Sequence, residues 1–334
     1  MTQSHAATDF EPSASTKSWM ALKERIQARK DLSEEIKGWL YAYSSGGLDV
    51  GGARLAFVDC QWGRADGDGP VPCAEHDSPI LCLHGNPTWS FLYRNVARAF
   101  GMTNRIVIPD HVGCGFSDKP QAYPYTLEKH IDNVEKLVDH LGLKKIILCV
   151  HDWGGAIGFG LAARRPEIIE RMVVFNTAAF PSPRMPLSIA LCRVPGIGAL
   201  AVRGFNAFLR GAFVRCTVKP LSRDAKQGFL FPYGSWHDRV ALHRFVLDIP
   251  MDESHPSWRT LKGIEEALPK LATKPMLICW GAKDFVFNDS FLEKWKQHFP
   301  QAEVHRYQNA GHWLLEDVGE EVIEAMRTFL GVTP

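Results

Sequence analysis

Short apolar runs alternate with longer amphipathic stretches along most of this chain. Leu55–Val58, Ile80–Leu83, Ile106–Ile108, Ile146–Val150, Met172–Phe175, Met276–Trp280 and Val304–Tyr307 are compact apolar segments bounded by turn residues, and each predicts a strand. Between them, segments such as Leu127–Leu141, Phe291–Phe299 and Glu320–Leu330 space apolar side chains at helical intervals. Such alternation predicts a mostly parallel α/β sheet with helices on both faces. From Asn176 to about Leu271 the rhythm breaks: helical patterns run on without a convincing strand, and then the strand series resumes. We therefore expect a helical cap over 181–270, inserted into a core formed by 41–180 and 271–334.

The first 40 residues differ from the rest. Residues 1–16 are polar and rich in Ser, Thr and Ala, a composition that predicts disorder. Trp19, Met20, Leu22 and Ile26 then sit among Lys, Arg and Glu, as in one or two amphipathic helices. This extension reads as a packing or self-association element.

Composition narrows the classes. With 334 residues, 46% of them hydrophobic, the chain can bury a sizeable core. A net charge of +1 gives no global pull toward nucleic acid, and none is expected as a partner. The eight cysteines form no CxxC pair and no metal-ligand spacing; several lie in apolar runs, where a thiol behaves as a small hydrophobe. We expect a reducing, cytoplasmic setting, and no metal or organic cofactor. No apolar run approaches the roughly 18 residues of a membrane span, and the first residues lack a secretory pattern.

The chemistry gathers in loops after strand ends, where open α/β sheets place their sites. Cys149-Val150-His151-Asp152-Trp153-Gly154-Gly155 follows the strand Ile146–Val150 and opens a small-residue helix. Strand, sharp turn and helix make a nucleophile elbow, here tipped by a carboxylate. The other loops are His84-Gly85-Asn86-Pro87, the glycine-punctuated Asp110–Asp118, Gly281-Ala282-Lys283-Asp284 and Ala310-Gly311-His312. Asp152, Asp284 and His312 thus follow the order nucleophile, acid, histidine. Glu316 and Asp317 lie nearer His312 in sequence and compete for the acid's place. His84 and His151 read as structural histidines, Asp110 and Asp118 as loop hydrogen-bonders.

The segments His84-Gly85-Asn86-Pro87-Thr88, Gly113-Cys114-Gly115-Phe116-Ser117-Asp118-Lys119-Pro120 and His151-Asp152-Trp153-Gly154-Gly155 resemble the haloalkane dehalogenases, the aspartate-nucleophile branch of the α/β-hydrolase superfamily, from about residue 48 to 331. Among their subfamilies the chain resembles the third, which borders the β-lactone decarboxylases of olefin biosynthesis. The stretch from Pro232-Tyr233-Gly234-Ser235-Trp236 to Ile249-Pro250 is especially similar to those neighbours. The resemblance implies an α/β-hydrolase fold with an eight-stranded, mostly parallel sheet and an inserted helical cap. It departs at Val150, where serine hydrolases keep glycine, and at Tyr41-Ala42-Tyr43, where dehalogenases often show Tyr-Pro-Phe.

What the resemblance implies chemically has an independent rationale. A serine attacking a halogen-bearing sp³ carbon would leave an inert ether. A carboxylate is ionised at neutral pH, and its attack leaves an ester that water can open. His312 would activate that water, oriented by Asp284. Backbone N–H groups of Trp153 and Asn86 would form the oxyanion hole. In the family the side chains of Asn86 and Trp153 hold the departing halide, as N–H donors that cannot transfer a proton.

Hydrolysis of haloalkanes to alcohol and halide is the first reading. Its partners are a small apolar substrate, water, and chloride or bromide as product. The alternative is decarboxylation of long-chain β-lactones to alkenes on the same Asp152. Epoxide opening fits less well, because that family uses two cap tyrosines and this cap has only Tyr233. A non-catalytic, oligomeric binding protein is the reading of a different class. Between Pro181 and Arg223 stand seven cations and no acid, among many aliphatic residues. That stretch reads either as solvated amphipathic helices or as a surface for an anionic partner, a second subunit or a peripheral membrane contact.

Overall fold

A computed structural model describes residues 33–34, 37–38, 46–60 and 78–332. The expected N-terminal disorder and helices of 1–40, Tyr41-Ala42-Tyr43 and Cys73 therefore lie largely outside the described residues. Eight strands form one sheet: β1 (Gly46–Asp49), β2 (Arg54–Cys60), β3 (Ile80–Leu83), β4 (Ile106–Pro109), β5 (Ile146–Asp152), β6 (Ile169–Thr177), β7 (Met276–Gly281) and β8 (Glu303–Tyr307). Their order is β1-β2-β4-β3-β5-β6-β7-β8. The first two pairings, β1 with β2 and β2 with β4, are antiparallel, and all others are parallel.

The seven strands expected from apolar runs are all present. The eighth, β1, has the sequence Gly-Gly-Leu-Asp, which carries no strand pattern of its own. It exists because it pairs with β2 across a turn at Gly51 and Gly52, both at positive φ, where the Asp49 carboxylate accepts the Gly51 N–H.

Side-chain alternation along the central strands builds a core on each face. Leu81, Leu83, Leu148 and Val150 point to one face, against α2 (Leu127–His140) and α3 (Trp153–Arg164); Ile80, Cys82 and Cys149 point to the other, against α1 (Arg94–Phe100). The seven described cysteines are free, and six of them are buried. Burial on both faces is why these strands read as unbroken apolar runs.

Between β6 and β7 the chain forms helices alone: α4 (Leu187–Leu191), the short turns Ile197–Ala199 and Leu200–Gly204, α5 (Ala207–Arg215), α6 (Arg223–Leu230), α7 (Val240–Leu247) and α8 (Trp258–Ala267). Polar contacts fasten this insertion to the loops at the carboxyl ends of the strands. The Trp313 N–H donates to the Cys216 carbonyl at 2.7 Å, and the Trp89 indole donates to the Gly228 carbonyl at 3.2 Å. Tyr233 OH donates to the Thr88 carbonyl, and the Leu127 N–H to Asp248. No single described helix is long and apolar enough to cross a membrane. After β7 come α9 (Asp289–His298), then β8, α10 (Leu314–Asp317) and α11 (Gly319–Leu330).

Candidate active site

Asp152 ends β5 in a conformation that side chains rarely adopt, with φ 53 and ψ −126. Several contacts over-determine it. Thr177 Oγ1 donates to its carbonyl, while the Asn86 N–H donates to its Oδ1 at 2.6 Å. The two glycines that follow are required by close approach. A Cβ at Gly154 would lie 2.5 Å from the Leu83 carbonyl carbon, and one at Gly155 would meet the Thr177 side chain. The turn thus lifts the carboxylate to the carboxyl edge of the sheet.

His312 faces it from the loop before α10. Its Nε2 lies 3.6 Å from Asp152 Oδ2, and its Nδ1 lies 2.7 Å from Asp284 Oδ2. Asp284 is itself fixed: its Oδ1 accepts the Val286 and Phe287 N–H groups at 2.7 and 3.1 Å. All three side chains are buried. Burial pushes the Asp152 carboxyl up, whereas His312 and the N–H groups of Asn86 and Trp153 favour its charged form. Burial also opposes a charge on His312, but the Asp284 carboxylate more than offsets this and holds the imidazole above its ordinary pKa.

The competing carboxylates are engaged elsewhere. Glu316 forms a two-pronged pair with Arg94, at 2.5 and 2.8 Å. Asp317 accepts N–H groups from Val218, Lys219 and Gly311, tying the insertion to the loop of His312. The remaining polar residues make local hydrogen bonds. His84 donates Nδ1–H to the Gly85 carbonyl and accepts the His111 N–H, which fixes a neutral ring. His151 donates to the His312 carbonyl at 2.8 Å, its ring 4.5 Å from that of His312. Asp110 accepts the N–H groups of Ser90 and Phe116, and Asp118 that of Arg54.

Asn86 is buried, and its amide donates to the Leu242 carbonyl of α7 at 3.0 Å. One amide hydrogen is thereby committed to orienting the group. Trp153 packs its ring 5.2 Å from Phe245. Asn86, Asp152, Trp153 and His312 all border one cavity of about 330 Å³. The rest of its wall is mainly apolar and comes largely from the insertion, including Ile189, Phe208, Val246 and Leu261. Sequence reasoning does not find these wall residues, because they belong to ordinary amphipathic helices. Among the described residues no group of three or more His, Cys, Asp or Glu is placed to hold a metal ion.

Residues 78–214 and 219–317 match the family described as alpha/beta hydrolase fold. A cis-3-alkyl-4-alkyloxetan-2-one decarboxylase of Shewanella oneidensis is 45% identical over 76% of this chain and 82% of its own length. One of the same name from Xanthomonas campestris pv. campestris is 36% identical over 88% of this chain and 98% of its own. A haloalkane dehalogenase of Mycolicibacterium paratuberculosis is 33% identical over 74% and 81%. Among solved structures, the haloalkane dehalogenase DatA from Agrobacterium tumefaciens C58 superposes with a TM-score of 0.72 at 26% identity, covering 87% of this chain and 98% of that one.

Proposed function

Because the chain belongs to the alpha/beta hydrolase family, we propose that this haloalkane dehalogenase-like enzyme is a decarboxylase of β-lactones bearing two alkyl chains, with Asp152 as its nucleophile. One observation carries the choice. Identity to the two lactone decarboxylases is 45% and 36%, over most of both chains, against 33% to the dehalogenase. The motifs alone rank dehalogenation first, since they reveal the carboxylate and its N–H neighbours but not the substrate.

The geometry supports displacement at an sp³ carbon in either case. Asp152 would attack the ring carbon that bears oxygen, forming an ester and expelling the ring carboxylate where a haloalkane would expel halide. The second amide hydrogen of Asn86 and the Trp153 indole would meet that anion. Loss of carbon dioxide, with formation of the C=C bond and release of Asp152, completes the cycle without net consumption of water. In the halide reaction His312, paired with Asp284, would instead activate water against the ester. There the Asn86 and Trp153 N–H groups that face Asp152 would stabilise the oxyanion. The insertion acts in this reading as a cap over 181–270, enclosing alkyl chains in its apolar wall.

Dehalogenation is the second reading, favoured by the N–H groups of Asn86 and Trp153 beside Asp152. Epoxide opening lacks its proton donors: among the described residues no tyrosine borders the cavity, and Tyr233 is spent on Thr88 and Gly115. The deciding assay sets alkene release from a cis-3,4-dialkyl-β-lactone against halide release from 1-bromobutane or 1,2-dibromoethane. Alkene formation that disappears in Asp152→Ala is expected. Halide release without alkene would put the second reading in place of the first, and full activity in Asp152→Ala would end both.

A further inference from the structure

We propose that the outer face of the insertion docks this protein onto an anionic phospholipid surface, with the cavity mouth turned toward the lipid. The inference stands whichever electrophile Asp152 attacks, because it rests on the surface and not on the chemistry below it.

Among the described residues, nine of the eleven exposed large hydrophobic side chains fall between Leu187 and Trp236. Leu187, Ile197, Phe205 and Val214 are each more than 60% exposed. So dense an apolar surface is unusual for a solvated monomer. Residues 181–223, which hold eight of these nine, carry seven cations and no acid, in a chain whose net charge is only +1; the first acid after them is Asp224. Arg184, Arg210, Arg215, Lys219 and Arg223 are exposed, and among the described residues none of the seven forms an ion pair with a carboxylate.

Two contacts tie parts of this surface together, while Lys219 turns aside to donate to the Asp317 carbonyl. Arg215 on α5 donates to Ser188 on α4 at 2.8 Å, and the Arg203 guanidinium lies 4.7 Å from the centre of the Trp236 ring. The surface also adjoins the cavity. Ser188, Ile189, Phe208 and Arg215 line that space, while Leu187, Leu191 and Val214 point outward from the same helices.

Charge and shape select the occupant. A second copy meeting this face across a two-fold axis would set arginines against the same arginines, whereas lipid phosphates would pair with them. Aliphatic and aromatic groups interleaved with arginine are the composition of helices that lie in a membrane interface. Lying, not crossing, fits the backbone: Ile197–Gly204 and Ala207–Arg215 are apolar enough together, but a 73° bend separates them. Neither leg approaches the roughly 20 residues that a span requires.

Flotation of the full chain with vesicles tests this, comparing phosphatidylcholine alone with an equal mixture of phosphatidylcholine and phosphatidylglycerol. Binding to the anionic vesicles only, weakened by salt, is expected. Arg210→Glu with Arg223→Glu should reduce partitioning by about tenfold or more, and Leu187→Ser with Val214→Ser should do likewise. Both variants should keep their melting temperature and their turnover of a short, water-soluble substrate. Failure of the unmodified protein to float with anionic vesicles would overturn the proposal. So would a dimer in solution that the same substitutions dissociate while vesicle binding is absent.

Discussion

Gly85→Ala probes the site without replacing any ionisable group. A Cβ at residue 85 would lie 2.5 Å from Asp152 Cγ and closer still to its Cβ and Oδ1. Ordinary carbon contacts begin near 3.5 Å, so about 1 Å of separation is missing. Rotating the carboxylate does not recover it, because the Asp152 Cβ is also too close. Either the end of β5 or the loop 84–87 must move, and the 2.6 Å bond from the Asn86 N–H to Asp152 links the two. Overpacking of this kind costs about 1–3 kcal/mol of stability. Misplacing a reacting group by about 1 Å costs about 100-fold in rate, so kcat/KM should fall by about that factor while the protein stays folded. Gly263→Ala is the control: it lies mid-helix in α8, with nothing within 4 Å of a new Cβ, and should gain about 0.5–1 kcal/mol with activity unchanged. Steady-state kinetics and thermal melts of both variants suffice. Gly85→Ala with near-normal kcat/KM would refute the idea that the 85–86 backbone sets the position of Asp152.

On the dehalogenase reading, Asp284→Asn should release about one halide per enzyme in a burst from a bromoalkane and then turn over slowly, since displacement at Asp152 survives while activation of water by His312 falls by about 10³–10⁴-fold; quenched-flow halide detection reads this, and an unchanged steady state would exclude Asp284 as the orienting acid of that reaction. On the same reading His312→Ala should accumulate an alkyl ester on Asp152, visible as added mass on the intact protein, and absence of any adduct during exposure to a reactive bromoalkane would count against the dehalogenase reading. Stability should fall on acidification from pH 6.5, because burial depresses His84, His111 (to about 4), His130 and His151. The unfolded chain then binds protons that the folded one refuses, at up to about 1.4 kcal/mol per pH unit for each ring; Asp110, pushed up to about 6, opposes part of this below that pH. His130, whose ring nitrogens have no hydrogen-bond partner among the described residues and whose ring stacks on Phe245 at 4.6 Å, should tolerate Phe, flattening the slope by about one proton in denaturation curves at pH 7 and 5.5. A slope unchanged in His130→Phe would show that this ring titrates normally in the folded state.

Local geometry was legible in the sequence, and long-range partnership was not. The elbow at Asp152, the parallel core strands and the histidine loop announce themselves through runs and turns of a few residues. β1 does not, because Gly46–Asp49 becomes a strand only by pairing with β2. Nor could spacing separate Asp284 from Asp317. Asp284 follows β7 and Asp317 ends α10, and only the fold turns one toward the His312 ring and the other toward Val218, Lys219 and Gly311. The bond from Asn86 to the Leu242 carbonyl spans 156 positions, and the sequence of the wall helices does not say which of their side chains face the cavity.

The carboxylate of Asp317 bears on how this scaffold can be re-engineered. A chimaera that swaps in a foreign segment for 178–275 would discard two of the three backbone donors on that buried group, those of residues 218 and 219. Any transplant has to recreate that pair of amides, or carry the 311–317 stretch across with it. Substrate range in such hybrids is therefore coupled to the seating of the imidazole itself.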